Sequence, residues 1–365
     1  YNQNSSIGAD VKRKDVYKVF IQNASDDDKR DKIYKPSISI IQKMHTDIRE
    51  LEWFLNIQFS VPKLIYGSNL NEITEGMFDH VVKILESKLY AMGIDFDTPS
   101  LKKSIVKRIH FGKNIELPPE YSISQVMGLI QKANTKCLKD RQVYYENGGE
   151  ALHLYTKSHG IVFYDKLKDL ERTKVSSIDK DRTRNERLQG KILRNSALQV
   201  LRFEVRYNGQ QTVSGKVCKQ LKVSYREILF PDVFNQKLWE VVLNSEWLAV
   251  TNSDGAKLAL KFEAEPKEAI RAMLLHFGGR KRNVHSLNQV LSSYGIFTGI
   301  QNIGVNPLRS MFEQQFSHKT VRTRLDEKIK EIALVLEKIP TNSGISYIDS
   351  QIQECKQLST YQIYD

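Results

Sequence analysis

Cysteine is scarce. Cys137, Cys218 and Cys355 are the three in 365 residues. They are too scattered for a disulfide framework, and none forms the CxxC pair of a zinc knuckle. A reducing cytoplasm is the expected compartment. No apolar run approaches the ~20 residues a membrane-spanning helix needs. No secretory leader is recognisable, although the sequence begins at Tyr1 rather than Met, which leaves the natural start open. The aromatic, glycine-rich strand pattern of an RNA recognition motif is also missing, which counts against an RNA-binding reading.

What the chain has in excess is positive charge. Lys and Arg number 55 against 43 Asp and Glu, a formal net charge of +12 with a pI near 9.3. That balance favours a polyanionic partner, most commonly DNA or RNA. With 40% hydrophobic and 27% charged residues the composition is that of a folded globular protein. The length suits two domains of roughly 150 residues each.

Polar residues 1–34 end in the charge run Asp26 to Lys32, read as a solvated loop or hairpin tip between strands. Leu51 to Ser60 is rich in β-formers, with Leu55, Ile57 and Phe59 alternating against polar neighbours. Val61 to Leu70 reads as a strand exit and turn, because of Pro62 and Gly67. Phe78, Val81, Val82, Leu85, Leu89 and Met92 fall at helical spacing, closed by Gly93. Tyr121 to Leu138 predicts a second helix, and residues 139–150 a loop.

Three short strands carry the chemistry. In Ile105 to Phe111, Arg108 and His110 share one face. A strand histidine can ligate a metal through neutral imidazole, but a lone histidine is more often a structural hydrogen-bonder. Gly160 to Phe163 reads as a buried strand, with His159 at one end and Tyr164, Asp165 and Lys166 at the other. Tyr164 leaves the core where a reactive side chain is often placed. A phenol of pKa about 10 is a poor nucleophile at neutral pH unless a neighbour such as Lys166 helps it; the plainer reading is a packing tyrosine. In Val200 to Tyr207, Arg202, Glu204 and Arg206 alternate with Leu201, Phe203 and Val205. Such a face can bind a cation through the carboxylate and phosphates through the arginines. Alternatively it is a surface ion-pair ladder contributing little stability. The charged stretch Ser177 to Asn195 predicts a mobile or helical arm, either touching phosphates or simply solvated.

In their order, Ser60 to Asn69, Lys107-Arg108-Ile109-His110, His159 to Lys166 and Arg202-Phe203-Glu204-Val205-Arg206 resemble the gene II and gene X type replication initiators of filamentous phages and related plasmids. The resemblance runs from about Leu51 to Trp247. It implies an α+β fold, with a central antiparallel β-sheet and flanking helices of the rolling-circle nuclease kind, followed by a mainly helical C-terminal domain. It also implies a site-specific DNA nickase and strand transferase. By position, Tyr164 is the expected nucleophile, forming a 5′-phosphotyrosyl link, and Lys166 its helper. Glu204 and His110 are expected to hold a divalent metal, Mg²⁺ or Mn²⁺, with His159 and Asp165 completing the shell. Arg108, Arg202, Arg206 and Lys63 are expected to contact DNA. His110 departs from the family pattern, which has Asp there, and so favours a competing reading as a non-catalytic origin-binding or regulatory protein. The implied partners are a supercoiled duplex origin, its displaced single strand and host replication proteins, in a bacterial host's cytoplasm and away from membranes. Whether a second tyrosine, such as Tyr155 or Tyr207, takes part in joining is not readable from the sequence.

The expected division is a nuclease domain at 1–215, a helical basic domain at 216–340 and a polar tail at 341–365. Leu229 to Val242 and Lys267 to Phe277 have helical spacing. Between Pro266 and Lys330 there are eleven Lys and Arg against four Asp and Glu. Arg280, Lys281 and Arg282 join the expected DNA contacts. His285 to Tyr294 and Pro307 to Phe316 look loosely like a helix–turn–helix around Gly295, or like a plain bundle with a charged face.

Overall fold

A computed structural model describes residues 16–25, 27–28, 34–44, 50–133, 144–146, 151–171, 190–193, 198–261, 265–278, 284–316 and 320–354. The fold is α+β, as expected: two antiparallel sheets with flanking helices, then a helical C-terminal region.

The smaller sheet has the order β1-β2-β3, from β1 (Val16–Gln22), β2 (Ser37–Met44) and β3 (Leu51–Gln58). The Asp26 to Lys32 run therefore falls in the β1–β2 connection, where only Asp27 and Asp28 of it are described. Next comes α1 (Val61–Tyr66), where a turn was expected. Proline is compatible with a first helical turn, because its missing N–H would have no partner there. Gly67, at φ 70°, then ends the helix in the left-handed conformation.

Two further helices, α2 (Phe78–Ala91) and α3 (Thr98–Lys102), lead to β4 (Arg108–Glu116). This strand starts later and runs further than the sequence suggested; Ile105 forms only an isolated bridge to Leu229. After α4 (Ile123–Ala133) come β5 (Tyr144–Glu146), β6 (Ala151–Tyr155) and β7 (His159–Asp165). β5 lies in the stretch expected to be loop. Then follow α5 (Lys166–Glu171) and β8 (Val200–Asn208). The central sheet has the order β4-β8-β7-β6-β5 and is antiparallel throughout.

One face of this sheet is apolar. Leu201, Phe203, Val205 and Tyr207 of β8 are fully buried on it. Phe163 stacks on Phe203 with centroids 5.0 Å apart, and Trp247 meets both edge-on at 6.1 Å. Trp247 belongs to α7 (Gln236–Thr251), which follows α6 (Gln210–Leu221) and lies across this face. Fully burying one such side chain contributes roughly 1.5–3 kcal/mol, so this layer is a main anchor of the fold.

The C-terminal region continues with α8 (Asp254–Ala259), α9 (Pro266–Phe277), α10 (Val284–Ile303), α11 (Val305–Gln315), α12 (Val321–Val335) and α13 (Ser343–Gln353). Its helices share one buried cluster with the central sheet, running from Tyr34 to Ile352. The expected boundary at 215/216 falls inside α6. The expected tail carries α13, which buries Ile345, Ile348 and Ile352 and accepts a hydrogen bond from Trp247 Nε1 at Asp349 Oδ1, 3.0 Å. In the expected helix–turn–helix, α10 passes straight through Gly295 and stops at Gly304, φ 89°. No described helix is long and apolar enough to cross a membrane.

Candidate active site

Strand alternation and register bring the charged side chains onto the sheet's other face. Glu204 pairs with Gly112 on one side and Val162 on the other, Arg206 with His110 and Gly160, and Arg202 with Asn114 and Tyr164. His110, Gly112, Asn114, Arg202, Glu204, Arg206, Gly160 and Tyr164 therefore share a face.

Glu204 is the centre. Its Oε1 accepts the Tyr164 hydroxyl at 2.8 Å and Arg202 Nε at 3.2 Å. Its Oε2 accepts Arg206 Nε at 3.0 Å and Arg206 Nη2 at 2.7 Å. Burial alone would raise the carboxyl pKa, but Arg206 and Arg202 overcome it and hold the group far below the usual carboxylate range. Burial, then the Glu204 charge, raise the Tyr164 phenol well above its ordinary value. At rest the phenol is a neutral hydrogen-bond donor.

Arg202 is mostly enclosed, its side chain 11% exposed against 27% for Arg206. Its Nη1 donates to Asn114 Oδ1 at 3.1 Å, and Asn114 Nδ2 in turn holds the Leu70 carbonyl at 2.6 Å. Arg202 thus braces the site from inside. Arg206 and the exposed Arg108 face outward. His110 is open to water at one edge. Crowding by the protein, then Arg206, Arg202 and Arg108, lower its pKa to about 4 against the pull of Glu204. The open edge lessens the desolvation, but the arginines act in the same direction, so the imidazole is neutral at pH 7.

Several expected members stand elsewhere. His159 lies on the opposite, apolar face, since residues five apart on one strand point opposite ways. Its ring sits against Tyr207, and its Nε2 is 3.2 Å from Glu246 Oε2, within ion-pair distance though not aligned as a hydrogen bond. Asp165 also faces away: its Oδ1 accepts the backbone N–H groups of Leu167 and Lys168, at 3.1 and 3.0 Å, at the start of α5. Lys166 is fully buried. Its amine lies 5.5 Å from the centre of the Tyr164 ring and 3.5 Å from Asp169 Oδ2. Lys63 is buried within α1, not presented as a surface contact. Arg280, Lys281 and Arg282 lie outside the described residues, as does most of Ser177 to Asn195.

His110 and Glu204 are left as candidate metal ligands. A carboxylate has about four acceptor positions, and those of Glu204 already receive four donors. A cation shared with His110 would have to displace a guanidinium. Among the described residues, no three His, Cys, Asp or Glu gather into a metal-holding group. In this arrangement the donor set does not fit a divalent ion.

Sequence reasoning missed Gly112 and Asn114. Both continue the even-numbered face of β4 beyond Phe111, past the strand end that the sequence suggests. Glu72, which accepts Asn114 N at 2.9 Å and Lys113 Nζ at 2.9 Å, carried no local signal.

No curated protein and no solved structure matches the chain. The family model for the N-terminal part of the replication-associated gene II protein matches residues 11–226, starting upstream of the motifs and ending past β8. That is more than half of the chain and includes every residue of the Glu204 cluster, so the protein belongs to this family, the filamentous-phage gene II type replication initiators.

Proposed function

We propose that the protein starts rolling-circle replication by nicking one strand of a duplex origin with Tyr164 and later rejoining it. The observation that carries this reading is the Tyr164 hydroxyl held 2.8 Å from Glu204, between two arginines on the polar face of the central sheet. Geometry of this kind, a nucleophile bonded to an acceptor with cations beside it, suits attack on a phosphodiester.

In the resting site the phenol is weakly nucleophilic. An arriving phosphate competes with Glu204 for Arg206 and meets the exposed Arg108. A Glu204 that has lost one counter-charge accepts the phenolic proton more readily. The Tyr164 oxygen then bonds to phosphorus, and the bond from phosphorus to the 3′-oxygen breaks. The 3′-oxygen leaves as a hydroxyl after taking a proton from water, free to prime a polymerase. The phosphotyrosyl bond conserves the phosphodiester energy, so a later 3′-hydroxyl can displace Tyr164 and reseal the strand without ATP.

The test is incubation with supercoiled plasmid carrying the replicon's own origin, in Mg²⁺ or Mn²⁺. Wild-type protein should give open circles and a covalent protein–DNA adduct. Tyr164→Phe should give neither while still binding the DNA. An adduct formed by Tyr164→Phe would remove the nucleophile assignment. DNA left supercoiled by wild-type protein would favour the second reading, a non-catalytic origin-binding protein.

A further inference from the structure

The close approach of Arg202 to β4 depends on an absent side chain. A Cβ built on Gly112 would stand 2.8 Å from Arg202 Nε and closer still to Cζ and Nη2. Gly112 is not at positive φ, so its backbone does not require glycine. An exposed arginine would swing aside at little cost. Arg202 has little room to do so: its side chain is 11% exposed, Nη1 is held by Asn114 Oδ1 and Nε by Glu204 Oε1. Asn114 is itself fastened to the Leu70 carbonyl, and its backbone N–H to Glu72. Glu204 Oε1, the oxygen that Arg202 holds, is also the one that receives the Tyr164 hydroxyl.

We propose that Gly112 is a positioning residue for the Tyr164 site: the space above it is the slot in which the Arg202 guanidinium lies flat, and that fit sets where Glu204 holds the phenol. The inference rests on Tyr164 being the nucleophile, and it touches no reacting atom. Alanine at 112 lifts the guanidinium off the strand, turns Nε away from Glu204 and lets the phenol shift. Misplacement of a reacting group by about 1 Å costs on the order of a hundredfold in rate. DNA affinity, carried by outward-facing groups, is expected to change little.

The test uses the full chain with Gly112→Ala, Arg202→Lys and the double variant, and Gly128→Ala as control, since a Cβ at Gly128 meets nothing within 4 Å. A ¹⁹F label placed on Tyr164 as 3-fluorotyrosine reports the phenol's surroundings without DNA. Gly112→Ala should shift that signal, and cut the nicking rate at saturating origin plasmid by about tenfold to a hundredfold, with the dissociation constant for the plasmid within about threefold of wild type. Lysine lacks the fork that fills the slot, so adding Gly112→Ala to Arg202→Lys should change rate and signal less than about twofold. Wild-type rate and signal in Gly112→Ala, or effects that multiply independently in the double variant, overturn the proposal. If Gly112→Ala does not fold, Arg202→Lys should restore folding; failure to do so also overturns it. An adduct from Tyr164→Phe would sink the nucleophile reading alone, because coupling between positions 112 and 202 is still read in the ¹⁹F signal and in thermal unfolding.

Discussion

The two faces of the central sheet carry nearly the same device. On the polar face the Tyr164 hydroxyl donates to Glu204 at 2.8 Å, with Arg202 and Arg206 alongside. On the apolar face the Tyr207 hydroxyl donates to Glu246 at 3.1 Å, with Lys216 at 3.1 Å and His159 at 3.2 Å. In each, a phenol is raised by burial and a carboxyl is held down by cations. What differs is cover. Glu246 comes from α7, which closes over Tyr207 and leaves it fully buried. Glu204 comes from the sheet itself, Tyr164 is only half-buried, and His110 and Arg108, further along the same face on β4, are exposed. Perturbed ionisation marks both places, so it does not by itself identify a reactive one. Access does.

The sharpest way to break this comparison is to remove each hydroxyl. Tyr164→Phe should lower adduct formation by about a thousandfold or more, read by denaturing gel. Tyr207→Phe should keep nicking within about tenfold of wild type, since that phenol is fully buried against Glu246. Equal losses would mean that the covered pair serves the chemistry too.

Next in size are the cations. Arg206→Gln should reduce the nicking rate by about a hundredfold, as expected when a charged donor at the phosphate is lost, and weaken the salt dependence of plasmid binding. Lys216→Gln should spare both.

The covered cluster should show itself in acid. Burial tends to raise the Glu246 pKa, but His159 and Lys216 hold it at about 2. A depressed carboxyl stabilises the fold above its unfolded pKa of about 4.3, and that stability is lost as pH falls toward its folded value. About 2–3 kcal/mol should therefore disappear between pH 4.3 and 2. Urea titrations at stepped pH would show it, with a shallower acid slope in Glu246→Gln. An unchanged slope would mean that Glu246 is not held down.

Smallest of all should be the response to metal without DNA. With the Glu204 acceptor positions filled, millimolar Mn²⁺ should move the unfolding midpoint by less than about 1 °C. A clear rise would mean that Glu204 turns from Arg206 to a cation.

The parity of the strands was legible in the sequence. Arg202, Glu204 and Arg206 alternate with Leu201, Phe203 and Val205, and the structure follows that division. The same parity already set His159 and Asp165, odd-numbered on β7, against Tyr164. The order of strands was not legible, because register depends on pairings such as Gly112 with Glu204, 92 positions apart in the chain, and no local pattern encodes those. α1 was hidden by residues that favour strands, Val61, Ile65 and Tyr66. α13 was hidden because Ile345, Ile348 and Ile352 are spaced among polar residues. Glu246 could not be paired with His159 from sequence, as it arrives from another helix 87 residues later.

Glu72 has a further consequence. β4 is an outer strand of the central sheet, and such strands leave backbone groups open to pairing with another chain. The Glu72 carboxylate takes one of these, the Asn114 N–H, and grips the adjoining Lys113 amine as well. The sheet is thereby stopped at its rim beside the Tyr164 cluster. Two copies of the protein are thus denied an easy way to zip together there.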